Sequence, residues 1–446
     1  MKKILLSLLA AVAVTLASCS DKNAEKLIQT VPVNTKMLNI VNTEKLASEL
    51  NEQGKKTIEQ FLQKQKAEGN NKLAAYLLGE NSPLDPSVPF IVFEYKNGLI
   101  ATFMTRSGST FREDIEKELS TSFSKENGIW KTPDNTIFVN GDQAWIAPHY
   151  PEITSSDIKK MSEMTKVGSM LSLDCVGEML ENDADISSLL NLAGLTQASF
   201  GNAQSALILN TLFASPKYLY TCINFEKGKA VGETTVLNDK GKPAAMSIKP
   251  KKIDLDALKK FEARGNIFFA TALDSQVIGN LTAKFKNLAP MNAGIFNLIE
   301  QIDGDILVVI NSEKTSELPG SMAGMVTFKD AESARKCVEL LSEGGELAES
   351  GVTIMAEDKY LFASIGVQTG KTISEVSKNF EGTGLGLVIL APEGAGKETS
   401  PFDLASSIIV KLDDIGDSAK LNFTINTKPG QNSLNSLIEL LTYLSK

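Results

Sequence analysis

The residue types that catalysis most often needs are scarce in this chain. Its 446 residues contain one histidine, His149, so a metal held by two histidines and the HExxH arrangement are both excluded. A Ser-His-Asp triad would have to use His149, which comes just after a predicted strand, where a histidine of a surface loop is the expected interpretation. No nucleophile elbow of the G-x-S-x-G type accompanies it. We therefore assign no catalytic residue to a histidine-dependent site.

Paired carboxylates are another route to hydrolysis, because glycosidases need only two positioned acids. The closest pairs are Asp183 with Asp185, Asp303 with Asp305, and Asp413 with Asp414. Each pair falls at a predicted turn or strand end, where an Asp side chain has local hydrogen bonds to make. We interpret these acids as structural.

Aromatic side chains could form a ligand-binding surface, since Trp and Tyr combine an apolar ring with a polar tip. The candidates are Trp145, His149 and Tyr150, which lie with Trp130 in one stretch of the chain. Trp145 alternates with smaller apolar residues on a predicted strand, so a core position is the favoured interpretation for it.

Cofactor and nucleic-acid binding have little support. Residues 391–398 follow a predicted strand as a phosphate-binding loop does, but Ala391 and Glu398 stand where that loop needs Gly and Ser or Thr. We interpret the segment as a turn and predict neither a cofactor nor a metal. A net charge of −9 argues against nucleic acid, whose binding depends on clustered Lys and Arg. We interpret the one basic run, residues 249–252, as a solvated linker.

The first twenty residues form the most specific motif. Two lysines at positions 2 and 3 precede an apolar run over residues 4–16, which ends in Leu16-Ala17-Ser18-Cys19. A transmembrane helix needs roughly 20 apolar residues, so this shorter run predicts a cleaved signal peptide, residues 1–18. Leu-Ala-Ser-Cys resembles the lipobox of bacterial lipoproteins, which implies cleavage after Ser18 and a lipid on Cys19. The membrane is then a partner through that lipid, and residues 19–30 are predicted as a tether; an ordinary secretory signal is the alternative.

The other three cysteines are odd in number and widely spaced, so they do not indicate a disulfide framework. Cys175, Cys222 and Cys337 each lie in an apolar neighbourhood. Buried thiols are expected, and a bridge between Cys175 and Cys222 is the alternative.

Two halves of the chain repeat one order of predicted elements. The first half has a strand pair, a helix and a closing pair at residues 89–95, 98–103, 109–123 and up to 147; the second has them at 305–310, 321–328, 330–341 and 352–363. Further matches join the strand predicted at 170–173 to 385–390, and the hairpin at 217–237 to 406–427.

This repetition predicts an α+β fold: two similar modules of twisted, mainly antiparallel sheets with helices packed on one face. The first module is predicted over residues 31–258 and the second over 259–446. A single continuous sheet shared by both modules is the alternative.

The lipobox, the Val31-Pro32-Val33-Asn34-Thr35 entry into a first strand and the repeated order resemble a family of uncharacterised Bacteroidetes lipoproteins with a domain of unknown function. The resemblance implies lipidation of Cys19; the family carries no established activity or site residues to transfer to this chain. We expect an outer-membrane lipoprotein of the cell envelope, facing either the periplasm or the cell surface.

Three functions follow as hypotheses. The leading one is a non-catalytic protein that binds or scaffolds an envelope protein or glycan, because a duplicated body suits a binding surface. A carboxylate-dependent hydrolase acting on glycans predicts a deep cleft lined by close acids with perturbed pKa values. A soluble ligand carrier predicts an enclosed apolar pocket instead.

Overall fold

The computed structural model describes residues 21–49, 52, 54–56, 60, 72–78, 82–147, 153–192, 212–285, 297–312, 320–343, 351–391, 405–415, 418–428 and 432–436. The chain divides into two units. Unit 1 holds residues 1–207, 215–243 and 429–446, and unit 2 holds 208–214 and 244–428. This division differs from the predicted boundary at residue 258, because residues 244–258 belong to unit 2 and the last eighteen residues to unit 1.

Unit 1 is built on an antiparallel sheet. Its strands are β1 Met37–Val41, β2 Phe90–Tyr95, β3 Gly98–Met104, β4 Ser124–Glu126, β5 Ile129–Lys131, β6 Ile137–Asn140, β7 Gln143–Ile146, β8 Ile186–Asn191, β9 Tyr218–Glu226 and β10 Lys229–Leu237. Their order across the sheet is β10-β9-β8-β1-β2-β3-β7-β6-β5-β4. At the β2–β3 hairpin, Lys96 and Asn97 take the positive φ values of 50° and 62° that a two-residue turn of type I′ requires.

The helices of unit 1 are α1 Asp21–Gln29, α2 Thr43–Glu49, α3 Lys72–Leu78, α4 Gly108–Leu119, α5 Ser155–Ser162 and α6 Asp174–Glu181. Sequence accounts well for α4 and α5. Ser107 caps α4, whose Phe111 and Ile115 are buried four residues apart on one side. Thr154 and Asp157 form a capping box at the start of α5.

The main core of unit 1 lies between one face of the sheet and helices α1, α5 and α6. Trp145, Phe93 and Phe138 contribute its largest side chains from the strands. Helix α4 packs on the opposite face, where the rings of Phe111 and Phe103 meet edge to face at 6.0 Å. Neighbouring strand residues point to opposite faces, so unit 1 has helices on both sides of its sheet.

Residues 21–29 differ from the predicted tether. They form helix α1, and its Leu27 and Ile28 are fully buried in the main core of unit 1. A nine-residue polar helix is stable here because tertiary packing, not helix propensity, supplies most of the stability of short helices. The folded part of the chain therefore begins by Asp21.

Unit 2 has a second antiparallel sheet. Its strands are β12 Ile267–Leu273, β13 Ile302–Asn311, β14 Ser321–Phe328, β15 Val352–Glu357, β16 Tyr360–Gly366, β18 Leu385–Leu390, β19 Ala405–Ile415 and β20 Ser418–Thr427, and a separate pair is formed by β11 Arg264–Gly265 and β17 Lys371–Thr372. The order is β20-β19-β18-β12-β13-β14-β16-β15. The helices are α7 Leu255–Lys259, α8 Ser275–Phe285, α9 Ala331–Glu343 and α10 Ile373–Val376.

The core of unit 2 again occupies both faces of the sheet. On one face Phe268 and Phe362 pack with Leu258 of α7 and with Phe380. On the other face Leu361 and its neighbours pack against α9. The fold class is therefore α+β with mainly antiparallel sheets, as predicted. In each unit helices pack on both faces of the sheet, whereas the sequence predicted helices on one face only.

The two sheets share one strand order. From β10 to β6 in unit 1 the order is that of β20 to β15 in unit 2, and unit 1 then continues with β5 and β4. One predicted match was wrong: Met170–Ser172 is a 3-10 helix, and the strand that occupies the place of β18 is β8. A short apolar run does not by its pattern distinguish a strand from a helical turn.

Within the described residues, no helix combines the length and hydrophobicity needed to span a bilayer.

Candidate functional site

Long-range pairing in unit 1 gathers charged and polar side chains where β1, β8 and β9 meet. Lys45, in the first turn of α2, donates from Nζ to the backbone carbonyl of Asp183 and to Asn224 Oδ1 at 3.2 Å. The same Nζ lies 3.5 Å from Asp183 Oδ2 and 3.8 Å from Asp185 Oδ1. We call Lys45, Asp183, Asp185 and Asn224 the acidic cluster.

Asp185 is the unusual member of the acidic cluster because its side chain is fully buried. Its Oδ2 accepts a hydrogen bond from the backbone N–H of Phe225, and its Oδ1 accepts none in the described part of the chain. Burial raises the pKa of Asp185 to about 6, with smaller increases from Glu49 and Asp183; the Phe225 hydrogen bond and Lys45 only partly oppose this rise.

A raised carboxyl pKa is common among catalytic acids, but the surroundings of Asp185 do not suit that work. A general acid must come within hydrogen-bond reach of its substrate, and the Asp185 side chain has no solvent-exposed surface. Asp183, its predicted partner, is 84% exposed. The arrangement joins α2 to the ends of β8 and β9 through Lys45, which is a structural role.

A small cavity lies beside the acidic cluster. Asn42, whose N–H donates to the carbonyl of Asp185, lines it together with Ala24 of α1, Met179 of α6 and Ser187 of β8. Its volume is ≈ 70 Å³, far below the ~300 to 1,000 Å³ typical of ligand pockets. The cavity can hold water or a very small polar molecule.

The second acid pair, Asp303 and Asp305, makes contacts with neighbouring residues. Asp303 forms an ion pair with Lys251 at 2.8 Å, and this contact lowers the pKa of Asp303. Lys251 thus links the predicted basic linker to β13. Asp305 is buried, its Oδ1 accepts from the N–H of Asp254 at 2.9 Å, and burial raises its pKa.

The third pair lies at the end of β19, next to the turn of the β19–β20 hairpin, as predicted. Asp413 and Asp414 are both within β19, and Asp413 Oδ2 accepts a hydrogen bond from Asn422 Nδ2 on the neighbouring strand. The contacts of Asp185, Asp303, Asp305 and Asp413 agree with the structural interpretation of these acids.

The aromatic candidates do not assemble into one surface. Trp145 is fully buried in the main core of unit 1, and its Nε1 has no acceptor among the described residues. His149 and Tyr150 lie outside the described residues, as does Cys19. The core interpretation of Trp145 therefore holds, and binding by the other two stays a prediction.

Trp130 of β5 makes the aromatic contact that sequence reasoning missed. The guanidinium of Arg112, on α4, lies 4.1 Å from the centre of its ring, and Lys125 Nζ lies 5.5 Å from it. Such cation–π contacts contribute ~0.5 to 1 kcal/mol at exposed sites. The pair joins β5, which lies between β6 and β4, to helix α4 across eighteen residues, a separation at which sequence carries little signal.

The remaining candidates for chemistry are thiols and metal ligands. Cys175, Cys222 and Cys337 are all present as thiols, so Cys175 and Cys222 do not pair, and burial raises the pKa of Cys175 to about 12. In the described ranges no three His, Cys, Asp or Glu side chains converge as metal ligands would.

Comparison of the chain with known protein families, with curated proteins and with solved structures finds no match.

Proposed function

We propose that this protein is an outer-membrane lipoprotein, anchored through a lipid on Cys19, whose duplicated body binds or scaffolds another envelope macromolecule. The observation that carries the proposal is the use of one strand order in both units. Duplicated modules enlarge a binding surface without requiring a catalytic centre, as repeat proteins illustrate. The resemblance to Bacteroidetes lipoproteins supports the anchor.

The position of α1 makes this tether short. Helix α1 begins at Asp21, and two residues of extended chain span at most about 7 Å. A lipid on Cys19 would therefore hold unit 1 close to the bilayer surface. Several acyl chains are needed for stable anchoring, because each buried CH₂ contributes about 0.8 kcal/mol.

The ligand-carrier and hydrolase hypotheses receive less support. The cavity beside the acidic cluster is small for a carried ligand, and the buried carboxylate of Asp185 is out of reach of a glycan. A binding partner that contacts the outside of the modules needs neither a cavity nor an exposed acid.

Metabolic labelling with an alkyne analogue of palmitate, followed by membrane fractionation, tests the anchor. The wild-type chain should carry the label and sediment with the outer membrane, whereas Cys19→Ser should lose both. Cys222→Ser removes a different thiol and serves as the matched control. Equal labelling of all three chains would refute lipidation at Cys19.

The binding role is tested by affinity purification of the lipidated protein from its native envelope after brief crosslinking. A discrete co-purifying protein or glycan, present at a constant ratio, is the expected result. Hydrolysis of envelope glycans by the purified chain, seen as new reducing ends, would instead favour the hydrolase alternative.

A further inference from the structure

The hairpins β6–β7 and β15–β16 occupy equivalent positions, and their registers can be matched residue by residue. In each hairpin the first turn residue has a positive φ, 59° at Gly141 and 52° at Asp358. The carbonyl of the second turn residue then accepts a hydrogen bond from the end of the strand beside the hairpin. Thr105 N–H, just after β3, donates to Asp142 O at 2.7 Å, and Phe328 N–H, at the end of β14, donates to Lys359 O at 2.9 Å.

Counting from these turns, Val139 of β6 corresponds to Ala356 of β15. In antiparallel ladders the backbone groups of successive residues point alternately to the two sides of a strand. The backbone groups of Val139 therefore point away from β7 towards β5, where Val139 pairs with Trp130. Those of Ala356 point away from β16 in the same way.

The outer edge of β6 is covered, but that of β15 is open. In unit 1, β5 lies along β6, and the N–H of Thr132 donates to the carbonyl of Ile137 at 3.0 Å. In unit 2, β15 pairs with β16 and with no other strand of the described residues. An unpaired edge strand presents a row of N–H and C=O groups to which another strand can pair.

Side-chain exposure differs between the two edges as this pairing predicts. Phe138, opposite Lys131 of β5, is fully buried. Its counterpart Met355 is 52% exposed. A large apolar side chain is thus left in solvent at the position that β5 covers in unit 1.

The helix beside each edge adds a second correspondence. Ser107 caps α4 and Asp330 caps α9, and Arg112 and Arg335 each follow the cap by five residues. The residue before each arginine, Phe111 or Ala334, is fully buried, which confirms the helical register.

The two arginines differ in what lies over them. Arg112 stacks on the ring of Trp130 at 4.1 Å. Arg335 is exposed, donates from Nε to the carbonyl of Ala331 at 3.3 Å, and has no ring stacked on it among the described residues. Trp130 pairs with Val139, so a ring paired with Ala356 would lie on the face that carries α9 and Arg335.

We propose that the open edge of β15, with Met355 and Arg335, binds an extended segment of a partner protein that carries an aromatic residue opposite Ala356. The segment adds a strand to the sheet of unit 2 as β5 does in unit 1, and its backbone pairs with Ile354 and Ala356. The aromatic ring stacks on the Arg335 guanidinium, and the neighbouring residue covers Met355.

A second copy of this chain is a poorer occupant of the edge. Two β15 strands could pair with each other, but Val352–Glu357 contains no aromatic residue to place on Arg335. The strand that does hold the required ring, β5, is already paired with β6 in its own unit. The complementarity between cation and ring therefore favours a different polypeptide.

A labelled peptide that copies residues 124–132, the β4–β5 hairpin, is the probe, titrated into the full chain in detergent and followed by fluorescence anisotropy. Saturable binding is expected. Ala356→Pro should abolish it, because proline removes an outward N–H that the folded edge does not use. Arg335→Ala should weaken binding about two- to fivefold. A peptide with Trp130→Ala should bind equally weakly to the wild-type chain and to the Arg335→Ala chain. Lys336→Ala, on the adjacent exposed position of α9, should bind as wild type does.

Absence of peptide binding, or binding that Ala356→Pro leaves intact, would overturn the proposal. So would a homodimer in sedimentation velocity that Ala356→Pro dissociates, since a second copy would then be the occupant. Circular dichroism and urea midpoints establish that each variant is folded.

This inference rests on the proposed binding role, yet the two can fail separately. One outcome separates them: the peptide does not bind, yet the Ala356→Pro chain still co-purifies with the native partner. The proposed binding role then stands, and the edge of β15 is not the binding site.

Discussion

Replacement of Asp185 by asparagine tests the electrostatic interpretation of the acidic cluster. The amide oxygen of the new side chain can still accept from the Phe225 N–H, so the perturbation removes the charge and keeps the hydrogen bond that Asp185 makes. Lys45 retains Asp183 and Asn224 as partners.

The magnitude follows from the pKa of Asp185, which burial raises from 3.8 to about 6. Between these pH values the folded state holds a proton that the unfolded state has lost, so the free energy of unfolding falls as the pH rises from about 4 to 6. At 1.36 kcal/mol per pKa unit, the loss is roughly 3 kcal/mol. Asp185→Asn lacks this loss, so relative to wild type it should gain roughly 2 kcal/mol between pH 4 and pH 7.5, because part of the loss already occurs below pH 4.

Urea denaturation followed by tryptophan fluorescence measures this difference. The chain has two tryptophans, Trp130 and Trp145, and both belong to unit 1, so the signal reports unfolding of that unit. Asp183→Asn, at an 84% exposed position, is the matched control, and its difference from wild type should change far less between the two pH values than that of Asp185→Asn. A difference between Asp185→Asn and wild type that does not change with pH would refute the reasoning.

Two further predictions concern packing and thiol reactivity. Gly108→Ala should destabilise unit 1 by about 1 to 3 kcal/mol, because its Cβ would lie 1.9 Å from the carbonyl oxygen of Gly141; Gly177→Ala, which meets nothing within 4 Å inside helix α6, should stabilise it by about 0.5 to 1 kcal/mol. Urea midpoints measure both changes in stability. Equal changes for the two variants would contradict the steric clash expected at Gly108. In the native chain at pH 8, iodoacetamide should modify half-buried Cys222 well before Cys175, since burial raises the pKa of Cys175 to about 12; peptide mass spectrometry would expose the opposite order.

Local signals made much of the fold predictable. The β2–β3 hairpin follows from a short polar turn between two apolar runs, and α4 from apolar residues repeated at helical spacing. The same signals occur in the second half in the same order, so local patterns alone are enough to indicate the repeated plan of elements.

Packing decided the elements that sequence missed. Helix α1 is short and mainly polar, so its nature depends on the core that receives Leu27 and Ile28. The sequence predicts a strand at residues 170–173, a short apolar run, whereas the strand at that place in the sheet is β8. In α1 the apolar residues Ala24, Leu27 and Ile28 do have helical spacing, but over less than two turns. The sequence of β8 lacks the strict alternation of apolar and polar residues that would identify a strand.

Sites formed by distant residues were beyond the reach of local patterns. The acidic cluster joins Lys45, Asp185 and Asn224 only because β1 and β9 both pair with β8. The open edge of β15 becomes apparent only when its register is compared with that of β6. Pairing across the sheet, rather than spacing along the chain, creates both features.

Crosslinking from β15 in the native envelope tests the binding role most directly. A photoreactive amino acid at position 355, in the lipidated chain, should give one discrete crosslinked product, and Ala356→Pro in the same chain should remove it. The same photoreactive residue at position 336 should give no such product. A product that persists with Ala356→Pro, or no product from position 355, would contradict the binding of an extended partner segment at this edge.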